Sequence, residues 1–161
     1  NHSLVIRIDF GAASLLVTGD LEEAAINDLV EKYAGGAMLD VDVYLVGHHG
    51  SKNGTTRGLL DAMSPSIAVI EMGSEARHVM WSAWAYGHPR ENIVEMLAAG
   101  IDLAREPRDV DVGTGARMFS NTQLNKAVFG TGWDGAIDVY MSEAGDITIP
   151  GLLDVKAGEH R

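Results

Sequence analysis

Two adjacent histidines, His48 and His49, stand in a glycine-framed turn directly behind an apolar run, in Val41-Asp-Val-Tyr-Leu-Val-Gly-His-His-Gly50-Ser51-Lys52. The flanking glycines, Gly47 and Gly50, permit backbone angles that would set both imidazoles at the carboxyl edge of a strand. Leu15-Leu-Val-Thr-Gly-Asp20 repeats the design with a carboxylate, and Tyr86-Gly-His88-Pro89 offers a third glycine-framed polar site. Imidazole nitrogen and carboxylate oxygen suit Zn²⁺, Mn²⁺ or Fe²⁺, and a chain without cysteine has no thiolate to offer instead. The intervals between Asp20, His48 and His88 are long and irregular, unlike a zinc finger or a His-Glu-x-x-His helix, so only their conjunction points to a metal or proton-transfer site. Ser51 has no Gly-x-Ser-x-Gly elbow around it, which leaves it to hydrogen-bond a histidine or cap the loop. Lys52 is placed to pair a substrate anion or remain solvated, and Asp9, Asp40 and Asp42 read as solvated charges or strand-end turns.

Elements able to position these groups follow from periodicity. Ser3 to Phe10 and Ala13 to Thr18 read as a hairpin turning at Gly11-Ala12, and Leu21 to Tyr33 as a helix stopped by Gly35-Gly36. Val43 to Val46 and Ile67 to Ile70 are continuous apolar runs expected in strands buried on both faces. Between them a short helix through Met63 is expected, capped by Asn53 or Thr55 and ended by Pro65. Residues 74 to 86 form an irregular loop whose Trp81, Trp84 and Tyr86 serve either a pocket or a packing plug. Pro89 should open a helix that Gly100 ends. Residues 101–125, rich in Arg, Asp, Gly and Thr, suggest a loop or insertion; 126–150 suggest a terminal β meander turning at Trp133-Asp-Gly135, and 151–161 a tail. The fold class is α/β.

At 161 residues with 46% hydrophobic composition, the chain suffices for one ordinary core. It contains no apolar run of bilayer-spanning length and no signal-peptide pattern at its start, so a soluble chain is expected, with the cytoplasm favoured. A net charge of −11 with scattered basic residues argues against tracking a phosphate backbone through Lys and Arg. It does not exclude a phosphoester held at a metal centre, because the ions supply the positive charge locally.

The succession Asn1-x-Ser3-Leu-Val, Leu-Val-Thr-Gly-Asp20, Asp42-Val-x-x-Val-Gly-His48-His49-Gly-Ser51-Lys52, Ser64-Pro65-x-Ile-Ala-Val-Ile and Tyr86-Gly-His88-Pro89 resembles the metallo-β-lactamase fold hydrolases. Within them it is similar to the hydrolase domain of ComEC-type DNA-internalisation competence proteins. The resemblance spans residues 1–100 and implies an αββα sandwich of which this chain supplies the C-terminal half. By the same resemblance, Asp20, His48 and His88 would hold metal, zinc or alternatively manganese or iron, with two ions in the complete domain. His48 and His49 would serve catalysis, Ser51, Lys52 and Tyr86 would meet substrate, and Asn1 and His2 would neighbour the metal site. The His-x-His-x-Asp-His string that marks the family is missing from these residues. The chain opens on Asn1 at a strand, so a missing N-terminal half, in the same protein or a separate chain, is the expected partner.

The implied function is metal-dependent hydrolysis of a phosphoester by a metal-activated water. Two alternatives remain: a non-catalytic partner-binding or regulatory module that keeps the fold, and a single-strand nuclease linked to DNA uptake.

Overall fold

The computed structural model describes residues 3–74 and 76–159. Asn1 and His2, expected beside the metal site, and the last two residues of the tail lie outside the described residues.

Strands β1 (Ile6–Phe10) and β2 (Ala13–Val17) form the expected antiparallel hairpin, and helix α1 (Glu23–Lys32) follows. Strand β3 (Val43–Leu45) runs into a single tight helical turn at Gly47–Gly50. Helix α2 (Arg57–Met63) is capped by Thr56, whose hydroxyl accepts from the Leu59 N–H, rather than by Asn53 or Thr55. It ends at Ser64, in the left-handed region, one residue before Pro65. Strand β4 (Ile67–Ile70) leads through an irregular segment to the short helix α3 (Ala83–Tyr86) and then α4 (Glu91–Gly100). Pro89 does not open α4; Arg90 is its N-cap residue, and Pro89 packs instead against Gly50.

Residues 101–125, expected as a loop or insertion, are a long antiparallel hairpin, β5 (Ala104–Gly115) with β6 (Met118–Lys126). Charged side chains hide the pattern: Val110 and Val112 alternate inward at period two and Leu124 joins them in the core, while Asp109 is exposed and Asp111 half-buried. The meander is also displaced. Strand β7 (Val128–Gly130) leaves it to pair in parallel with β4, and Trp133-Asp134 closes a helical turn, α5 (Thr131–Asp134), rather than a hairpin bend. Only β8 (Tyr140–Met141), β9 (Ile147–Ile149) and β10 (Leu153–Val155) form a small antiparallel sheet, the last strand lying in the expected tail.

The main sheet has the order β1-β2-β3-β4-β7, with every pairing parallel after the first hairpin. This is a mixed α/β architecture. Helices α1, α2 and α4 contribute Ile26, Leu59, Leu60, Met63, Ile93 and Leu97 to the core over the sheet. Parallel strands buried on both faces account for the uninterrupted apolar runs. Among the described residues, no helix is long and apolar enough to cross a membrane.

Two buried carboxylates stabilise this frame. Asp42, read as a solvated charge or a strand-end turn, stands at the start of β3 but is buried, and it accepts from the Ser14 N–H at 2.7 Å and the Ser14 hydroxyl at 2.8 Å, fastening β2 to β3. Asp134 receives a forked contact from Arg105 at 3.0 and 2.6 Å and the Gly130 N–H at 3.0 Å. Burial alone would push the Asp134 carboxyl up. The Arg105 hydrogen bond, the Gly130 N–H and the charges of Arg105 and Arg108 outweigh that and hold it below its ordinary value of 3.8. Because the folded value is lowered, this stabilisation is fully present above the ordinary carboxyl value and is lost as pH falls through the folded one. Asp134→Ala leaves Arg105 buried and unpaired, with an expected loss of about 3 kcal/mol in urea unfolding at neutral pH. The difference from the unmutated chain should shrink on acidification.

Candidate metal centre at the carboxyl ends of the strands

The turn after β3 is built around one hydroxyl. Tyr44 is fully buried, and its Oη accepts from the Gly47 N–H at 3.0 Å and bonds Thr55 Oγ1 at 2.9 Å, with Thr18 Oγ1 at 3.5 Å. The His48 N–H donates to Gly19 O at 2.9 Å, tying the turn to the residue before Asp20. Consecutive left-handed residues result, His48 at φ 50° and His49 at φ 54°. That region costs roughly 1–2 kcal/mol per non-glycine residue, although histidine tolerates it better than most. Gly47 is required by space, since a Cβ there would stand 2.6 Å from both Gly54 O and Thr18 Oγ1. Gly50, at φ 73°, lies where a Cβ would meet Pro89 at 2.6 Å, and the Arg90 N–H donates to Gly50 O at 2.9 Å. These contacts bring the His88 segment against the His48 turn.

The β5–β6 hairpin supports that segment from the other side. Gly113 N–H donates to Pro89 O at 2.7 Å, and the backbones at Gly87, Gly113 and Gly115 approach so closely that no Cβ fits at Gly87 or Gly113.

Asp20, His48, His49, Tyr86 and His88 accordingly line one cleft of about 780 Å³. They arrive from the ends of β2 and β3 and from the turn before α4; Glu71 and Met72 after β4 and Thr131 after β7 complete the wall. This is where open α/β sheets place their ligands. Thr131 went unnoticed in the sequence; its Oγ1 donates to Met72 O at 2.6 Å and accepts from Met72 N–H at 2.8 Å, joining the ends of β4 and β7. Ser51 and Lys52 do not line the cleft. Ser51 is buried and donates to Asn53 Oδ1 at 2.7 Å, the loop-capping role, and Lys52 is exposed. Trp81 lines the rim, whereas Trp84 packs under the Arg117 guanidinium, 5.3 Å from the ring centroid, and stacks on His78 at 4.6 Å. A larger depression, about 1000 Å³, opens at the opposite ends of β3 and β4 beside Asp40, Ser64 and Ser66. It has no histidine, and the chemistry selects the smaller cleft.

Three of the histidine nitrogens discriminate among roles. His49 Nδ1 lies 2.7 Å from Glu71 O; a carbonyl only accepts, so Nδ1 carries the proton and Nε2 is left to face other chemistry. The Nδ1 atoms of His48 and His88 are buried without a hydrogen-bond partner among the described residues. Their rings are 6.2 Å apart. Burial first, then the charges of His48, Arg90 and His49, push His88 down from 6.5 to about 4, so near neutral pH it is the uncharged imidazole that a metal requires. Tyr86 stacks on His88 at 5.8 Å and 14°, steadying that ring. The donor set thus fits part of a coordination sphere. Among the described residues, no group of three His, Asp or Glu is gathered closely enough to hold an ion by itself.

This chain is similar to competence proteins. It is 40% identical over 104 residues to Competence protein ComA of Neisseria gonorrhoeae, a match covering 64% of this chain and 14% of that protein. Recombination protein 2 of Haemophilus influenzae is 39% identical over 88 residues, 55% of this chain and 10% of the relative. ComE operon protein 3 of Bacillus subtilis is 31% identical over 97 residues, 60% of this chain and 11% of the relative. The chain therefore spans a small fraction of these relatives. The competence-type resemblance read from Thr-Gly-Asp20, His48-His49 and Gly-His88-Pro89 agrees with them. No family model matches the chain, and no solved structure matches it.

Tyr44→Phe removes the hydroxyl and leaves the Gly47 N–H and Thr55 Oγ1 without it. A loss of about 1–3 kcal/mol in urea unfolding is expected, together with exchange broadening of the His48 and His49 ring signals in NMR.

Proposed function

We propose that this chain is part of a metal-dependent hydrolase of the metallo-β-lactamase-like αββα type, acting on a phosphoester within a competence-type protein. The observation that carries the reading is the meeting of Asp20, His48 and His88 in one strand-end cleft, with the Nδ1 atoms of both histidines buried and unpartnered among the described residues. Asp20, His48 and His88 would hold the metal, zinc or alternatively manganese or iron. A metal there supplies Lewis acidity, lowering the pKa of water and stabilising negative charge on the attacked group.

The chain's own residues divide the remaining work. His49, fixed through Nδ1 by Glu71 O, keeps Nε2 for the cleft and in its protonated form donates from that atom to the departing oxygen. His88 stays neutral because it is desolvated beside His48, Arg90 and His49, which preserves its lone pair for coordination. Tyr86 orients His88 by stacking, and the Gly87 to Pro89 backbone is fixed by Gly113.

The sandwich reading also accounts for an otherwise costly surface. Leu4, Ile6, Ile8 and Phe10 alternate along one face of the edge strand β1 and its approach, and all are exposed, Leu4 to 71%. They continue the apolar face of Leu15, Val17 and Leu45, which are only half-buried. A second sheet from the expected N-terminal half would cover that stripe and bring further ligands to the cleft, because the Ser3 hydroxyl beside Leu4 accepts from the Asp20 N–H at 2.9 Å.

In the full-length protein, Asp20→Ala and His88→Ala are each expected to lower metal content, read by elemental mass spectrometry. Phosphodiester hydrolysis should fall by more than the roughly 10- to 100-fold that accompanies loss of a ligand's supporting partner. Unchanged metal content and activity in both variants would end this reading.

A further inference from the structure

We propose that Trp81 is a specificity-determining residue: a stacking platform on the rim of the histidine cleft that selects esters carrying a planar aromatic group, of which a nucleobase is the biological form. The inference rests on the hydrolase reading for the ester and on separate geometry for the aromatic group.

Trp81 is 82% exposed, an unusual state for the largest apolar side chain, and it lines the same cleft as His48 and His88. The other tryptophans are occupied. Trp133 is buried and donates from Nε1 to Asp111 O at 3.0 Å, and Trp84 stacks on His78 and carries the Arg117 guanidinium over its ring. Trp81 belongs to a ladder of rings leading inward: Trp81 to Tyr86 at 6.3 Å and 47°, Tyr86 to His88 at 5.8 Å and 14°, His88 to His48 at 6.2 Å. Trp81 therefore stands two ring steps from His88, and a flat ring laid on it would direct its ester along the cleft toward the histidines.

The backbone that carries the platform is held in place. Trp81 adopts φ 65°, and the residues around it are pinned to the tip of the β5–β6 hairpin by Arg117, whose N–H donates to Trp84 O at 3.1 Å and whose guanidinium donates to Met80 Sδ at 3.2 Å. A rigid aromatic face loses little entropy on binding. The charge balance favours the same mode of recognition. With a net charge of −11 and no basic stripe, the chain is poorly suited to gripping phosphates through Lys and Arg, whereas stacking on an aromatic face is sequence-tolerant and needs no cation at the platform.

The test uses the metal-loaded full-length protein and two chromogenic esters with the same leaving group, p-nitrophenyl thymidine 5′-phosphate and p-nitrophenyl ethyl phosphate. Thymidine 5′-monophosphate, titrated by fluorescence, reports binding without turnover. Trp81→Ala should reduce the ratio of kcat/KM for the thymidine ester over the ethyl ester by roughly 5- to 100-fold and weaken thymidine 5′-monophosphate comparably, with Trp81→Phe retaining most of both. An unchanged ratio with unchanged nucleotide binding overturns the proposal and leaves Trp81 as a contact for another polypeptide. If neither ester is hydrolysed yet nucleotide binding still depends on Trp81, the subsite stands and the hydrolase reading falls. If binding is indifferent to Trp81, the subsite falls whatever the activity.

Discussion

The histidine turn after β3 depends on the Tyr44 hydroxyl. It stands under the turn after β3, satisfies the Gly47 N–H, and meets Thr18 and Thr55 from the two neighbouring segments. A buried polar group of this kind is favourable only when its partners are in place, so the same network that holds the turn also fixes how β2, β3 and the following loop sit relative to one another. Two successive left-handed histidines are the outcome, a conformation that local preference would not choose. Strain at a tight turn lined by glycines that cannot gain a Cβ is consistent with a site whose side-chain directions matter.

The second constraint is the contact between that turn and the His88 segment. Gly50 against Pro89, Arg90 N–H on Gly50 O and Gly113 N–H on Pro89 O make a chain of close backbone approaches from β3 through the His88 turn to the β5–β6 hairpin. The hairpin is anchored at its far end by Arg105 on Asp134, a pair whose side chains are almost wholly removed from water. Stability and site geometry are therefore coupled: a change in the hairpin reaches His88 through backbone rather than through side-chain packing.

Much of this was legible in the residues, and the failures have physical causes. The runs Val43 to Val46 and Ile67 to Ile70 announced strands buried on both faces because they are continuously apolar, and the glycines beside Asp20, His48 and His88 marked the site edge. Asp20, His48, His49 and His88 were identified by type and position, and the fold brings them to one cleft. The hairpin was obscured because Arg105, Glu106, Arg108, Asp109 and Asp111 give it the composition of a loop, while only Val110 and Val112 carry its period. The burial of the Asp42 and Asp134 carboxylates was hidden for a related reason, since a carboxylate is buried only when distant donors meet it. Ser14 and Arg105 lie 28 and 29 residues away from them. Thr131 was missed because β7 was assigned to the wrong sheet, and the parallel pairing of β7 with β4 has no local signature. The division of labour between His48 and His49 depends on the carbonyl of Glu71, which no side-chain pattern reveals.

The proposal on which the account turns is that Asp20, His48 and His88 supply part of a metal's ligands in the strand-end cleft, the remainder coming from the rest of a longer protein. Anomalous diffraction at the zinc edge from crystals of the full-length protein locates bound metal without reference to activity. The account predicts a peak in the cleft within bonding distance of the Asp20 carboxylate and of ring nitrogens of His48 and His88. An empty cleft in zinc-saturated crystals, or a peak confined to a surface histidine such as His78, would contradict it.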